Sequence, residues 1–421
     1  MSKSVPDEWE YSKISESSVS VSKKFNANEG DNPRYIGLEH IAKNTKYLRQ
    51  WGYAADVIST QGVFQVGDTL FGKLRPYLSK VSIADFDGIC STDILVIRAL
   101  NGTSSEFLYR ILSSEDAISY AVESSAGNVM PRTSWKAMAE FIFLKPPLPE
   151  QQKIAQILTS VDEVIEKTQA QIDKLKDLKT AMMQELMTKG IGHVEFKDSP
   201  VGMIPVGWEV KTIEDLNISV LDGDRGKEYP KEKDFFQHEH CLFLSAKNVT
   251  KKGFRFDVSM FITEKKDNAM RKGKLKRGDI VITTRGTLGN IAYFNAEIPF
   301  ENVRINSGMA IIRNDKTAVS TEFLNILLHS PLVNEQTELL AFGSAIPQLT
   351  IGLLKNLNIP VPSIEEQNKI SAMINLVSHK IILIESKLTS LKNTKKALMQ
   401  DLLTGKVRVN TEQSNPALAV G

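Results

Sequence analysis

Cysteine is scarce in this 421-residue chain. Its two residues, Cys90 and Cys241, fall in different halves. That excludes a disulfide framework and suits a reducing cytoplasm, the expected location. Long apolar runs are missing as well. Met1–Asn28 is polar, and no stretch has signal-peptide or membrane-span length, so no membrane association is expected. Charge of one sign is not in excess: 52 Lys and Arg face 50 Asp and Glu, a formal charge of +2. That balance neither requires nor excludes nucleic acid, because a duplex reader needs a basic face rather than a basic total.

Catalytic motifs are absent too. No GxxxxGK[ST] phosphate loop occurs, and GDRGK at Gly223–Lys227 has the wrong spacing, which excludes a nucleotide-driven motor. DNPRY, Asp31–Tyr35, is similar to the NPPY-type loop of amino-methyltransferases. Arg34, however, stands where the second proline belongs, and no Gly-rich cofactor strand precedes it. An ordinary turn is expected there. HEHC, His238–Cys241, reads as a surface strand, since alternation sends both histidines to one face and the cysteine to the other. His193, His329 and His379 stand alone, and Asp222 with Asp224 reads as a turn. Nothing assembles into nucleophile, base and oxyanion hole, so neither a bound metal nor a cofactor nor enzymatic chemistry is expected of this chain.

What the chain does have is repetition. Glu150–Thr188 and Glu366–Thr404 align without a gap at an offset of 216, with 14 of 39 pairs identical. A period this long marks a duplicated domain rather than a solenoid. Upstream, PDEWEYSKISES (Pro6–Ser17) is echoed by PVGWEVKTIED (Pro205–Asp215), so Trp9 matches Trp208. Between these ends lie short strands and long loops. VFQVGDTLF (Val63–Phe71) and RGDIVITT (Arg277–Thr284) read as turns feeding strands; ILVIR (Ile94–Arg98) and MAIIR (Met309–Arg313) read as buried strands. EFLYRILSS (Glu106–Ser114) and EFLNILLHS (Glu322–Ser330) have helical spacing. SAGNVMPRT (Ser125–Thr133) then matches FGSAIPQLT (Phe342–Thr350), pairing Pro131 with Pro347. Prolines that end any strand mark the joint to the long helix.

Each repeated segment carries apolar residues every seven positions. Ile154, Val161, Leu175 and Met182 form one series, interrupted at Thr168, and Leu158, Ile165 and Ile172 another. In the second copy the series are Ile370, Val377, Ile384, Leu391 and Leu398, with Ile374, Ile381, Leu388 and Leu402. Neither interior holds Gly or Pro. Such a pattern is a coiled-coil seam, and the economical partner of each stripe is the other. Antiparallel pairing avoids crowding the two domains at one end. The expected fold is therefore α+β: two strand-rich globular domains joined by two long helices in an antiparallel coiled coil, with a pseudo-twofold internal repeat. The boundaries are 1–149 and 205–363 for the domains, 150–190 and 364–405 for the helices, 191–204 for a linker, and 406–421 within a mobile tail that begins near Thr404.

Basic loops remain. Residues 222–313 hold 18 Lys and Arg against 12 Asp and Glu, densest in MRKGKLKRG (Met270–Gly278), as phosphate neutralisation requires. TTRGTLGN (Thr283–Asn290) and FGKLRPYLSK (Phe71–Lys80) place Arg and Lys at matching points of the two halves. Arginine to guanine and asparagine to adenine are the usual chemistry of base readout.

In the order and duplication of these phrases, over almost the whole chain, the sequence resembles the specificity subunit of a type I restriction-modification enzyme. The resemblance implies a non-catalytic protein whose two target recognition domains each read half of a split site in double-stranded DNA, with the helices as a ruler. It also implies two methyltransferase subunits that use S-adenosylmethionine, and restriction subunits that make the assembly an ATP- and Mg2+-dependent endonuclease. The two domains differ, so the target is expected to be asymmetric. Chosen by chemistry and loop position, Lys73, Arg75, Asn128, Arg132, Lys247, Asn248, Arg285, Thr287 and Arg304 are the expected DNA contacts. Glu150, Gln151 and Lys153, repeated as Glu366, Gln367 and Lys369, lie off the seam and are expected to meet the methyltransferase subunits; helix capping and the domain joint are the alternative. A coiled-coil scaffold that binds protein partners is the competing reading, and the basic, Gly-flanked loops at equivalent places in both halves favour DNA.

Overall fold

The structure, a computed structural model, describes residues 5–25, 32–43, 45–56, 61–127, 130–315, 318–341 and 348–411. Helix and strand are mixed throughout. The chain divides into two compact units. The first combines residues up to Ala170 with those from Glu385 onward, and the second is Gln171–Ile384. These units are drawn differently from the boundaries read off the repeat, because each long helix begins in one unit and ends in the other.

In the first unit, a four-stranded sheet orders Ser18–Ser20, Ile94–Ala99, Thr69–Gly72 and Val81–Ile83, and a second orders Gly52–Tyr53, Arg34–Ile36, Gly88–Ser91 and Gln61–Phe64. Glu10–Lys13 pairs antiparallel with Ile142–Lys145, the strand that delivers the chain to the long helix. Helix Ser105–Leu112 packs on the first sheet and Glu115–Glu123 packs beside it, each opened by a serine cap: Ser104 accepts from Phe107 N–H and Ser114 from Ala117 N–H. The main core joins Trp9, Ile14, Phe71, Ile97 and Phe107 to Ile154 and Leu158 of the first long helix and to Leu402 and Leu403 of the second. Burying each such side chain contributes roughly 1.5–3 kcal/mol.

The second unit repeats this plan. Ser219–Asp222, Met309–Arg313, Ile280–Thr283 and Ile291–Tyr293 form the four-stranded sheet. Phe261–Ile262, Cys241–Leu244 and Val303–Ile305 form the other, and Glu209–Thr212 pairs with Asn358–Val361. Pro360 lies within that last strand, opposite Val210, rather than ending it; a two-stranded ladder leaves an edge where a missing N–H is tolerated. The core unites Trp208, Ile213, Ile280, Ile312 and Phe323 with Met183 and Met187 of the first long helix and Ile370 and Ile374 of the second.

The long helices span Leu148–Thr188 and Ile364–Leu403. Pro149 falls inside the first turn, where its missing N–H has no helical acceptor to lose. Every apolar position of the seven-residue series is buried or half-buried, whereas Val164, Leu178, Met373, Leu376, Ile382 and Leu383, all off those series, are exposed. Both helices stop before a glycine in the left-handed region, Gly190 (φ 66°) and Gly405 (φ 68°).

Candidate nucleic-acid interface

The repeated helix starts do not form an outer surface. Glu150 accepts hydrogen bonds from Trp9 Nε1 (2.9 Å) and from Arg408 Nε and Nη2 (2.8 and 2.9 Å). Burial pushes its carboxyl up, but these donors outweigh that and hold it below the usual carboxylate range. Glu366 repeats the arrangement with Trp208 Nε1 (3.0 Å), His193 Nε2 (2.9 Å) and Ile191 N–H (2.9 Å). Gln151 accepts from Ser104 N–H and donates to Gly102 and Pro146 carbonyls; Gln367 does the same with Ser320, Ala318 and Pro362. These four residues, expected at a partner surface, instead lock each domain to its helices: in both copies the glutamate accepts from the opening tryptophan and the glutamine bonds one serine N–H and two carbonyls. Lys153 and Lys369 are exposed, Lys369 paired with Glu365 at 2.6 Å. Arg408 and Val409 are docked against Glu150, correcting the mobile tail over residues 404–411; 412–421 lie outside the described residues.

The candidate DNA loops gather at equivalent points. In the first unit, Lys73 N–H donates to Asp93 O (2.8 Å), Thr133 N–H to Lys73 O (3.0 Å) and Arg75 N–H to Pro131 O (2.8 Å). Arg75 (φ 52°), held by the last of these, and Ser79 (φ 51°), whose N–H donates to Pro76 O (2.8 Å), lie in the left-handed region, a strain of about 1–3 kcal/mol each. Arg75, Tyr77 and Arg132 are exposed, and Arg132 pairs with Asp93. Lys73 is half-buried; burial, then the neighbouring Arg132 charge, pulls its pKa down against the pull of Asp93. Asn128 lies outside the described residues.

In the second unit the same frame recurs: Thr284 N–H donates to Gly308 O (2.8 Å) and Leu349 N–H to Thr284 O (3.1 Å). Arg285, exposed, donates from Nε to Gln348 Oε1 at 3.0 Å, and Thr287 is exposed beside it. Arg225 and Arg285 line one surface pocket with Asp222, Thr284 and Gln348. The Arg225 loop is fixed by Asp224, which accepts from Gly226, Arg271 and Lys272 N–H groups. Burial opposes ionisation there, but the three donors prevail and lower its pKa. Gly223 is required for that approach, since a Cβ would sit 2.2 Å from Asn306 O. Arg271 and Lys272 are thereby presented outward, and Lys247 is exposed on a separate turn.

Two expected contacts belong to the interior. Asn248, 2% exposed, accepts from Ser245 N–H (2.8 Å) and donates to Arg255 and Val258 carbonyls, so its amide is spent on turn closure. Arg304, 4% exposed, is bound to Asp267 and donates to Lys272, Asp267 and Met270 carbonyls; it supports the basic run from beneath. Within that run, Lys274 pairs with Asp267 and Arg277 stacks on Phe294 while donating to Asn295, Ile298 and Phe300 carbonyls, leaving Arg271, Lys272 and Lys276 exposed. His238–His240 precede the strand Cys241–Leu244 rather than forming one, and Cys241 is buried, its thiol pushed up to about 12 by burial. Among the described residues no three His, Cys, Asp or Glu converge on a metal position. Sequence reasoning passed over Arg225, Asp93 and Gln348, although the pairing of Pro131 with Pro347 places Gln348 opposite Arg132.

A family model described as the type I restriction modification DNA specificity domain matches residues 6–177 and again 205–393. The chain belongs to the type I restriction-modification specificity subunits. This specificity subunit is 29% identical over 328 residues to the type I restriction enzyme MjaVIII specificity subunit of Methanocaldococcus jannaschii, covering 76% of this chain and 75% of that one. It is 26% identical over 190 residues to the EcoDI specificity subunit of Escherichia coli, covering 44% and 42%. Its fold is shared by a chain solved in work on the assembly and conformational transition of the type I R-M system, with a TM-score of 0.62 at 18% identity over 96% of this chain and 100% of that one. The S subunit from M. genitalium gives 0.58 at 15% identity over 95% and 98%. The doubled match of the family model and the doubled sheets are one repeat seen twice, so each unit of the specificity subunit carries its own DNA recognition domain.

Proposed function

We propose that this specificity subunit reads an asymmetric two-part target in double-stranded DNA, one half-site per unit, and performs no chemistry itself. One observation carries the reading: the two units hold the same loop frame, through Lys73, Asp93 and Thr133 or Thr284, Gly308 and Leu349, yet display different exposed side chains on it. Equal frames with unequal side chains suit two readers of unlike sequence. Exposed Arg225, Arg271, Lys272 and Lys247 supply cations for the phosphates.

The helices act as the ruler, paired antiparallel as a coiled coil, with a pseudo-twofold internal repeat. Supporting this, the first turns of one helix pack with the last turns of the other inside each unit. At ~1.5 Å per residue each is about 60 Å long. Two methyltransferase subunits dock along them. The exposed Met373, Leu376 and Leu383, the latter two 72% and 70% accessible, share one face of the second helix and suit such a contact. S-adenosylmethionine belongs to the methyltransferase subunits, ATP and Mg2+ to restriction subunits, and the assembly works in the cytoplasm.

The test is to express this chain with its cognate methyltransferase subunit and map modified adenines across the host genome. A split, asymmetric motif with a constant gap, present only when both proteins are present, is expected. Methylation unaffected by this chain, or produced by it alone, sinks the reading.

A further inference from the structure

We propose that Arg285 and Gln348 act as one reading element that recognises a guanine in the half-site of the second unit. The inference rests on the DNA-reading role proposed above and deepens it to a residue pair and a base.

The position is set by the backbone. Thr284 lies between Gly308 and Leu349 through two main-chain hydrogen bonds, as Lys73 lies between Asp93 and Thr133. The side chains flanking this common node are not common: the first unit pairs Arg132 with Asp93, and the second pairs Arg285 with Gln348. Both pairs reach solvent. A site where the frame is held and the chemistry varies is where two different half-sites are distinguished.

The polarity of the pair selects the base. Arg285 Nε is a donor, so the amide oxygen of Gln348 must face it, and the 3.0 Å bond uses that oxygen. With that oxygen turned to Arg285, the groups left to face a base are chiefly donors: the guanidinium Nη groups and the Gln348 Nε2 group. In the major groove guanine presents two acceptors, N7 and O6, and thymine only one, O4, beside a methyl group, whereas adenine and cytosine present an amino donor that such a pair repels. Gln348 also restrains the guanidinium plane, which a bidentate contact requires. Arg225, ion-paired with Asp222 at 3.1 Å, lines the same pocket and adds a second cation there. In the first unit, Asp93 adds an acceptor beside Arg132, so that element accepts an edge carrying a donor.

The test uses the full chain with its methyltransferase subunit, with methylated adenines mapped for wild type, Arg285→Lys, Gln348→Ala, Gln348→Glu and Arg132→Ala. Arg285→Lys and Gln348→Ala are expected to relax one guanine position in one half-site, lowering discrimination there by about 5- to 150-fold. The other half-site and the gap stay as in wild type. Gln348→Glu keeps an oxygen toward Arg285 but turns the outward donor into an acceptor, shifting preference toward a base with an amino group. Arg132→Ala relaxes the opposite half-site. An unchanged motif in the Arg285 and Gln348 variants, or relaxation of both half-sites together, overturns the proposal. If a variant methylates nothing, fluorescence anisotropy of its purified complex on duplexes differing at that base pair decides. Loss confined to the guanine duplex supports the pair as reader. Equal loss on every duplex, with a shallower salt dependence, makes Arg285 a phosphate contact and overturns it. A wild-type complex without a split motif defeats the DNA-reading role itself, and this inference with it.

Discussion

Glu150 is an acid placed inside the fold with Trp9 and Arg408 aimed at it, one near the start of the chain and one near its end. Because its carboxyl is held below the ordinary range, the stabilisation it provides is present above that range and fades as pH falls through the depressed folded value. Replacing Arg408 with Gln leaves only Trp9 Nε1 and Val409 N–H against burial and raises that carboxyl relative to wild type. The substitution is expected to cost about 1.5–3 kcal/mol at neutral pH, the worth of a hydrogen bond to a charged group. The gap between variant and wild type should narrow as pH falls and close only at a pH below the depressed wild-type value, where the carboxyl is protonated in both. Thermal unfolding of the full chain at the two pH values checks this, and an equal loss at both contradicts it. Glu366 presents the same carboxylate to His193 in place of arginine.

At the scale of elements, the long helices owe their length to sustained apolar heptads with no interior Gly or Pro and their ends to single glycines. Gly190 and Gly405 do more than stop a helix. A Cβ at Gly190 would lie 2.6 Å from Trp208 Cζ2, and one at Gly405 would lie 2.5 Å from Pro6 Cγ. Each stop is therefore also the seat of the tryptophan that opens a domain. Inserting four residues after Leu175 adds ~6 Å, just over one turn, without touching either seat. Methylation mapping should then show an altered gap or none at all, with neither half-site changing its bases. A changed half-site would refute the division into readers and ruler.

For the whole molecule, chain order and spatial order disagree. Residues from Glu385 onward belong to the first unit, so the chain completes its first domain only with its last described residues. A chain truncated after Gly405 loses Arg408 and Val409 and is expected to lose hydrogen-exchange protection around Trp9 and along Glu10–Lys13 and Ile142–Lys145. Protection around Trp208, where the linker residues Ile191 and His193 play the equivalent part, should persist. Loss spread over both units, or no loss, contradicts this assignment.

The duplication, the two helices, the strands Ile94–Ala99 and Met309–Arg313 and the loops after Gly72 and Thr283 were all legible in the residue order. They depend on local periodicity and on turn residues that act within a few positions. Side-chain roles were not so legible. Asn248 and Arg304 carry base-reading chemistry, and the repeated Glu150 and Gln151 look like a docking patch, but whether a polar group faces solvent or a buried donor depends on what the chain returns to that place. For Asn248 those partners close a local turn, but for the others they lie far off in sequence: Arg408 for Glu150, Asp267 for Arg304, Gln348 for Arg285. The sequence by itself determined that there are two like domains on two long helices. Only the tertiary structure decided which polar side chains are consumed in holding them and which are left facing outward, because hydrogen-bond satisfaction is a property of three-dimensional neighbours.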